Sequence, residues 1–332
     1  ELPDDEFHKL IPDTEVIIGS PPCVAFSSSN KSGKGDKEKG LKLLKAYLRI
    51  VARKRFKLNS TLRYWVLENV PNIKKYMQSK YTAKDLDLVG DFTLHVINDN
   101  SGIYNAKYFG APTNRKRFFC GEFPTPQCTH TNQTVITLRT VLNALGSPQN
   151  KDLEPIIDCC YPDLQMKRQD VTDHHYAYHL QPFEWETAKR LKEDKGYMGR
   201  MSFPENLDNP SRTVMATMSS SSRESMILSS YEGGYRLPTV REAASMMSFP
   251  IDYRFYGASK GTKHTLVGNA VPPKMSYAIA KAIAHDAGIS IPNRYIPIQH
   301  NPEIEFYNLN NVIFEPKVEK PKRDIAKFKY HI

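Results

Sequence analysis

One cysteine stands where a reactive thiol could act. Cys23 follows a short apolar run, residues 15–18, and two prolines, and it precedes a stretch rich in Ser, Asn, Lys and Gly. The run predicts a buried strand that the prolines end, and α/β sheets bind ligands at the carboxyl ends of their strands. A buried structural cysteine is the alternative, but the polar loop argues against a core position. Cys23 is therefore our candidate nucleophile.

An acid and two arginines could stabilise charge that develops beside that thiol. Glu68 ends a second apolar run, residues 64–67, while Arg115 and Arg117 alternate along a predicted strand and so project the same way. A carboxyl group and a guanidinium group can stabilise charge that develops on a reacting ring. The alternatives are a capping or surface role for Glu68 and, for the two arginines with Lys116 between them, a solvated basic strand.

Predicted strands and helices alternate along the sequence, and these elements must position the candidate residues. Apolar residues recur at helical spacing over residues 41–57, and a second helix is predicted near the end of the chain. The strands are apolar on both faces, as in a parallel sheet that helices cover. The sequence predicts an α/β fold with a doubly wound, mostly parallel sheet. The predicted strands lie at residues 15–18, 65–67, 92–97 and 117–120, and the second helix at 275–287.

Composition narrows the function classes. The 332 residues carry 46 basic and 36 acidic side chains, a net charge of +10, which favours a polyanionic partner. No apolar run approaches the ~18 residues of a membrane helix, and no signal peptide is found. Five cysteines do not form a disulfide framework. We therefore expect a reducing, cytoplasmic location.

Five sequence blocks in a fixed order resemble the DNA (cytosine-5) methyltransferase family of bacterial restriction–modification systems. They reach to about residue 285, which leaves the tail uncovered. The blocks are the Pro-Pro-Cys loop at 21–23, Glu-Asn-Val at 68–70, Arg-Lys-Arg at 115–117, the helix start Thr-Val-Arg-Glu-Ala-Ala at 239–244, and Gly-Asn-Ala-Val-Pro-Pro at 268–273.

The resemblance implies a role for each matched residue. Cys23 would add to carbon 6 of cytosine, Glu68 would act at ring nitrogen 3, and Arg117 would contact the carbonyl oxygen while Arg115 braces the site. Thr113 stands where the family usually has Gln, so one supporting hydrogen bond is in doubt. Val24 also replaces a family Gln, which changes how the gap left by a displaced base is filled.

The resemblance also implies S-adenosylmethionine as cofactor and duplex DNA as partner. Asn269 would help to bind the cofactor, Leu43 would pack on its adenine, and Pro22 would lie near the methyl donor. The target base must leave the stack to be reached, and a small domain would read the sequence around it. The candidate DNA contacts are Ser27, Lys34, Arg200, Arg212, Arg223 and Arg241.

The family's organisation implies four segments in this chain. We expect a partial catalytic domain, a loop-rich target-recognition domain, a segment that returns to the catalytic domain, and a tail of unknown role. Their bounds are residues 1–123, 124–261, 262–288 and 289–332.

A glycine-rich Phe-x-Gly-x-Gly loop, with which the family normally opens and which cradles the cofactor's methionine part, is not found in the sequence. We expect a trimmed record of a longer protein, with a split enzyme that needs an amino-terminal partner and a catalytically inactive relative as alternatives. Without the preceding strands, the 15–18 strand would be an open edge.

Two clusters could suggest a metal, and two other functions remain open. Cys120, Cys128 and His130 with Cys159 or Cys160 lack a Cys-x-x-Cys pair, and the histidines at 174, 175 and 179 are ordinary loop or helix residues in our interpretation, so no metal is predicted. The other functions are an RNA cytosine methyltransferase and a sequence-specific DNA-binding protein without turnover. A cognate restriction endonuclease would belong to the same system.

Overall fold

The structure is a computed structural model that describes residues 2–22, 26, 36–150, 154–194, 199–292 and 294–299. Three of the predicted site residues, Cys23, Ser27 and Lys34, lie outside these ranges.

The described chain contains seven α-helices and twelve short strands. The helices are α1 (Asp4–Leu10), α2 (Lys37–Arg55), α3 (Leu138–Leu145), α4 (Pro182–Glu193), α5 (Val240–Met246), α6 (Lys260–Asn269) and α7 (Pro273–Asp286). The strands are β1 (Val16–Gly19), β2 (Tyr64–Asn69), β3 (Lys80–Thr82), β4 (Thr93–His95), β5 (Gly102–Asn105), β6 (Thr113–Asn114), β7 (Lys116–Glu122), β8 (Ile156–Ile157), β9 (Gln165–Met166), β10 (Ser211–Arg212), β11 (Leu228–Ser229) and β12 (Tyr235–Arg236).

The main sheet has the order β1-β2-β7-β5. The predicted α/β class is confirmed, and in the described sheet β1, β2 and β5 point the same way while β7 runs in the opposite direction. β1 runs parallel to β2, whereas β7 is antiparallel to both β2 and β5. The physical reason is the short connection from β5 to β7, which has no crossover helix and so returns the chain antiparallel. The strand predicted at 92–97 forms β4, which pairs with β3 in a separate two-stranded sheet.

Strand β2 is the centre of the sheet, and all six of its residues are buried. Because side chains alternate along a strand, Trp65 and Leu67 join the core under α2, while Tyr64 and Val66 join the core under α7. Helices therefore cover both faces of the sheet, and the end of β2 is fixed from both sides.

Helix α2 begins after Asp36, whose carboxylate accepts a hydrogen bond from the Lys39 amide at 2.8 Å. Its buried Leu44, Leu48 and Val51 follow the i, i+4, i+7 spacing that the sequence showed. The Tyr47 ring lies against Gly19, where an added Cβ would approach the ring to 2.2 Å. Only glycine at this position lets α2 pack this closely on the end of β1.

A separate core lies in the second half of the chain. It joins α3 and α5 to Val267 of α6, and short strands such as β8 and β11 surround it. Helix α7 then returns to the main sheet through Met275, Ile279 and Ile283. The domain bounds given above remain a prediction. No helix in the described ranges has both the length and the apolar character needed to cross a bilayer.

Candidate active site

A cleft of about 1110 Å³ opens between the end of β2, the β6–β7 segment and residues 200–217. It gathers predicted residues from distant parts of the sequence. The predicted site residues that line it are Glu68, Arg115, Arg117, Arg200, Arg212 and Asn269.

Glu68 is the central charged group of this cleft and is only 6% exposed. Its Oε1 lies 3.1 Å from Arg117 Nε, and its Oε2 accepts a hydrogen bond from the Ser20 hydroxyl. The sheet register explains the first contact, because Glu68 pairs with Phe119 and Arg117 stands two residues away on the same face of β7. The carboxylate is therefore held between a cation and a hydroxyl.

The loop that carries Cys23 is fixed on both sides in the described residues. The Asn69 amide nitrogen donates to the Pro21 carbonyl at 3.0 Å, while the Asn69 oxygen accepts from the Val70 amide. On the other side, Phe26 is buried in the core under α2, and its ring contacts Tyr76. These contacts hold the start of the loop beside Glu68, although Cys23 itself lies outside the described residues.

Arg115 has a different environment from Arg117, although the two alternate in sequence. It lies between β6 and β7 and is only 1% exposed. Its guanidinium donates to the Val214 carbonyl at 3.0 Å and to the Gly268 carbonyl at 2.8 Å. Arg115 therefore links the sheet to residue 214 and to the end of α6.

Residues 211–217, which we call the strap, cross the cleft between β6 and α6. Ser211 and Arg212 pair in parallel with Thr113 and Asn114, and the Thr113 hydroxyl donates to the Arg212 carbonyl at 3.1 Å. Thr113, found in place of the family's Gln, thus makes a hydrogen bond to the strap.

The end of α6 approaches the strap closely. An added Cβ on Gly268 would lie 2.3 Å from the Ala216 amide nitrogen, so a larger side chain there would displace the strap. The glycine of the Gly-Asn-Ala-Val-Pro-Pro block therefore has a packing reason. The Asn269 side chain next to it is exposed and lines the cleft.

Arg212 and Arg200 line the part of the cleft that residues 200–217 form. The Arg212 guanidinium is held by Glu205, with nitrogen–oxygen distances of 2.6 and 3.0 Å, and it donates to the Ser202 carbonyl at 3.1 Å. Burial raises the pKa of Glu205, and the adjacent Arg212 opposes that rise. Arg200 is exposed at the cleft. Only Arg200 presents a solvent-exposed guanidinium side chain in this pair.

Two of the predicted DNA contacts have buried guanidinium groups. Arg223 is 6% exposed and donates to the carbonyls of Leu191, Asp194 and Gly199. Arg241 is fully buried and donates to the carbonyls of Thr172, Pro250 and Tyr253.

These carbonyl contacts correct the interpretation of both arginines. In this structure they stabilise loops and the start of α5, and neither guanidinium is placed to contact DNA.

The predicted cofactor residues lie near the ends of β1 and α6. Leu43 is 37% exposed and lies one turn before Tyr47, the residue that packs on Gly19. Pro22 is exposed beyond the end of β1, where Ile18 also exposes 65% of its surface. This apolar surface and the exposed Asn269 amide fit an adenine ring and a polar cofactor group.

The metal cluster considered in the sequence does not assemble in the described residues. Cys120 is buried in β7 and burial raises its pKa to about 12, while Cys128 is exposed. The group of three potential ligands that the described residues do bring together is Asp158, Cys159 and Cys160.

Sequence reasoning missed the residues that support the charged groups. Asn69 lies within the Glu-Asn-Val block and Ser20 directly precedes the Pro-Pro-Cys loop, but nothing in their spacing showed that they bind Pro21 and Glu68. Glu205 lies in a stretch without periodicity, so only the folded chain brings it to Arg212. A polar residue beside a proposed catalytic residue is the one signal that could have found Ser20.

Comparisons with known proteins agree with this arrangement. The family described as C-5 cytosine-specific DNA methylase matches residues 3–285. The chain is 27% identical over 295 residues to the type II methyltransferase M.MthTI of Methanothermobacter thermautotrophicus, which covers 83% of this chain and 80% of the relative. It is 28% identical over 292 residues to the type II methyltransferase M1.HphI of Haemophilus parahaemolyticus, and the match covers 81% of this chain and 68% of the relative.

Solved structures show the same fold at low sequence identity. The Entamoeba histolytica methyltransferase EhMeth has a TM-score of 0.50 at 13% identity, covering 86% of this chain and 81% of that one. The S. pombe Dnmt2 methyltransferase has a TM-score of 0.50 at 14% identity, and the match covers 87% of this chain and 83% of that one. With the family match extending over most of the sequence, the chain belongs to the C-5 cytosine-specific DNA methylase family and is a DNA (cytosine-5) methyltransferase.

Proposed function

We propose that this chain methylates carbon 5 of a flipped-out cytosine in a short duplex DNA sequence, with S-adenosylmethionine as donor, through a covalent adduct with Cys23. The observation that carries the proposal is the Glu68 carboxylate, held in the cleft by Arg117 and Ser20 beside the anchored start of the Cys23 loop. The relatives' names, type II methyltransferases, support a place in a restriction–modification system.

Cys23 is the proposed nucleophile. Addition of its thiolate to carbon 6 makes carbon 5 nucleophilic. Once carbon 5 carries the methyl group, it loses its proton to a water molecule acting as base, and elimination of the same sulfur restores the aromatic ring. The described residues on either side of it are anchored, Pro21 by the Asn69 amide and Phe26 in the core under α2.

Glu68 and Arg117 are proposed to stabilise the ring as the thiolate adds. The Glu68 carboxyl group passes a proton taken from solvent to ring nitrogen 3 as the thiolate adds, and the Arg117 guanidinium donates to the carbonyl oxygen, so that negative charge does not accumulate on the ring. Ser20 and Arg117 occupy different oxygens of Glu68, which orients the carboxyl plane. Arg115 acts behind them by fixing the strap and the end of α6.

When bound, S-adenosylmethionine supplies the electrophilic methyl group that carbon 5 takes up. Asn269, Leu43 and Pro22 are the proposed contacts, through one amide and two apolar surfaces.

DNA is proposed to enter the cleft from the side of residues 200–217. A displaced base needs an enclosed pocket, and unstacking costs a few kcal/mol that backbone contacts must repay. The net charge of +10 favours such contacts. Arg200 and Arg212 at the cleft, with Ser27 and Lys34 outside the described residues, are the proposed contacts, and the set does not include Arg223 or Arg241.

The test is transfer of labelled methyl groups to mixed-sequence duplex DNA, together with trapping on duplex DNA that contains 5-fluorocytosine. We expect label in DNA and a covalent complex that Cys23→Ser abolishes while DNA binding persists. Cys128→Ser, which removes an exposed thiol, is the matched control. Transfer to tRNA in preference to duplex DNA, or a trapped complex that survives Cys23→Ser, would contradict the proposal.

A further inference from the structure

Asp158, Cys159 and Cys160 bring a carboxylate and two thiols together outside the active-site cleft. The two Sγ atoms are 3.8 Å apart, and one ligand atom from each residue lies within 4.8 Å of the others. Cys160 is buried, whereas Cys159 is partly exposed. None of the three has a part in the methyl transfer proposed above.

A turn built on Asp158 explains why consecutive side chains converge. Asp158 Oδ1 accepts hydrogen bonds from the amides of Cys160 at 2.7 Å and Tyr161 at 3.1 Å, and Oδ2 accepts from the Ile251 amide at 2.8 Å. In an extended chain, neighbouring side chains point to opposite faces, but this side-chain-capped turn folds the backbone back. The Tyr161 hydroxyl then fixes the turn by donating to the Ser248 carbonyl at 3.0 Å.

The sulfur separation matches that of two thiolates on one tetrahedral ion. With metal–sulfur bonds of about 2.3 Å, the tetrahedral angle places the two sulfurs about 3.8 Å apart, and the Sγ atoms are 3.8 Å apart. A disulfide fits less well, because it requires sulfurs at about 2.05 Å and Cα atoms usually at about 4.4–6.8 Å. Neighbouring residues across a trans peptide have Cα atoms only about 3.8 Å apart.

We propose that Asp158, Cys159 and Cys160 form a binding site for one thiophilic divalent ion of the zinc class. Cys159 and Cys160 are the thiolate ligands, and each gives up its proton to solvent on binding. Asp158 supplies the third ligand, because a carboxylate oxygen that accepts backbone hydrogen bonds retains lone-pair capacity for a metal. The partly exposed Cys159 gives the ion a route from solvent, and water occupies the remaining position.

Cadmium is the probe, because cadmium–thiolate bonds absorb in the ultraviolet. The full chain, reduced and freed of metal, is titrated with Cd²⁺ while absorption and bound metal per chain are measured. We expect one ion with thiolate absorption, and Zn²⁺ should displace it. Cys159→Ser, at a partly exposed position that tolerates a hydroxyl, should weaken binding about 10-fold or more. Cys128→Ser is the matched control, and it should bind as the unaltered chain does.

Three outcomes would overturn the proposal. The first is unchanged Cd²⁺ affinity and absorption in Cys159→Ser. The second is loss of the signal in Cys23→Ser or Cys128→Ser, which would place the ion elsewhere. The third concerns the melting temperature, because an ion that binds the folded site must stabilise it. The proposal fails if Cd²⁺ does not raise the melting temperature of the unaltered chain and Cys159→Ser behaves in the same way.

Discussion

Arg115 and Arg117 alternate in sequence, yet the structure predicts that removing each has a different effect. Replacement by Met keeps the apolar length of the side chain and removes its donors. In Arg115→Met two buried carbonyls, of Val214 and Gly268, lose charged partners at 3.0 and 2.8 Å. At about 1.5–3 kcal/mol for each such bond, the free energy of unfolding should fall by about 3–6 kcal/mol.

Arg117→Met removes the cation that pairs with Glu68, whose other oxygen keeps the Ser20 hydroxyl. Because Glu68 is buried, leaving it without this cation should lower the free energy of unfolding by about 3 kcal/mol. If Arg117 stabilises charge on the reacting ring, kcat should fall by about 10²–10³-fold, the effect of removing one such donor.

Urea unfolding of both variants, with kcat measured under folding conditions on duplex DNA, separates the two roles. Arg115→Lys, which keeps one cation in the same place, should recover part of the stability and serves where Arg115→Met does not fold. An Arg115→Met variant as stable as the unaltered chain would refute the reasoning, as would an Arg117→Met variant with unchanged kcat.

Three further predictions address neighbouring groups. Ser20→Ala should lower kcat by several-fold at nearly unchanged KM for DNA, because Glu68 loses the hydroxyl that orients it; a change in KM alone would assign Ser20 to binding. Arg212→Ala should weaken discrimination between DNA sites more than overall affinity and should also cost about 3 kcal/mol of stability, because Glu205 is left buried without its partner. Exposed Arg200→Ala is its control and should leave unfolding unchanged. Burial lowers the pKa of His264 to about 4, so between that value and the usual ~6.5 the unfolded chain binds a proton that the folded chain does not, and stability falls with acidification. His264→Leu should reduce the loss of unfolding free energy between about pH 6.5 and 5 by about 1.5 kcal/mol, whereas exposed His285→Gln should not. If urea unfolding shows the same loss between the two pH values in His264→Leu and the unaltered chain, His264 is excluded as the cause.

The elements beside the proposed catalytic groups were readable from the sequence, because these groups follow apolar runs that indicate strands. The runs before Cys23 and Glu68 and the helix of residues 41–57 needed only periodicity, and the strand over 64–69 and helix α2 are present. The direction of β7 was not readable, because a short strand between turns carries no signal of its partner.

Positive charge alone led to a wrong interpretation of Arg223 and Arg241 as DNA contacts. Arg223 and Arg241 look like candidate DNA contacts in a basic chain, but each guanidinium donates hydrogen bonds to three backbone carbonyls. Exposure and hydrogen-bond partners depend on loops that are far apart in sequence, so residue type could not distinguish these arginines from Arg200.

By itself, the sequence determined the α/β class, the strand-end positions of the candidate acid and nucleophile, and the order of the five blocks that carry the family. Only the tertiary structure decided which groups share a partner. It set Ser20 and Arg117 on opposite oxygens of Glu68, buried Arg115 against the strap, and folded Asp158, Cys159 and Cys160 into one turn. Local patterns follow from the backbone's own periodicity, whereas these contacts depend on how distant segments pack together.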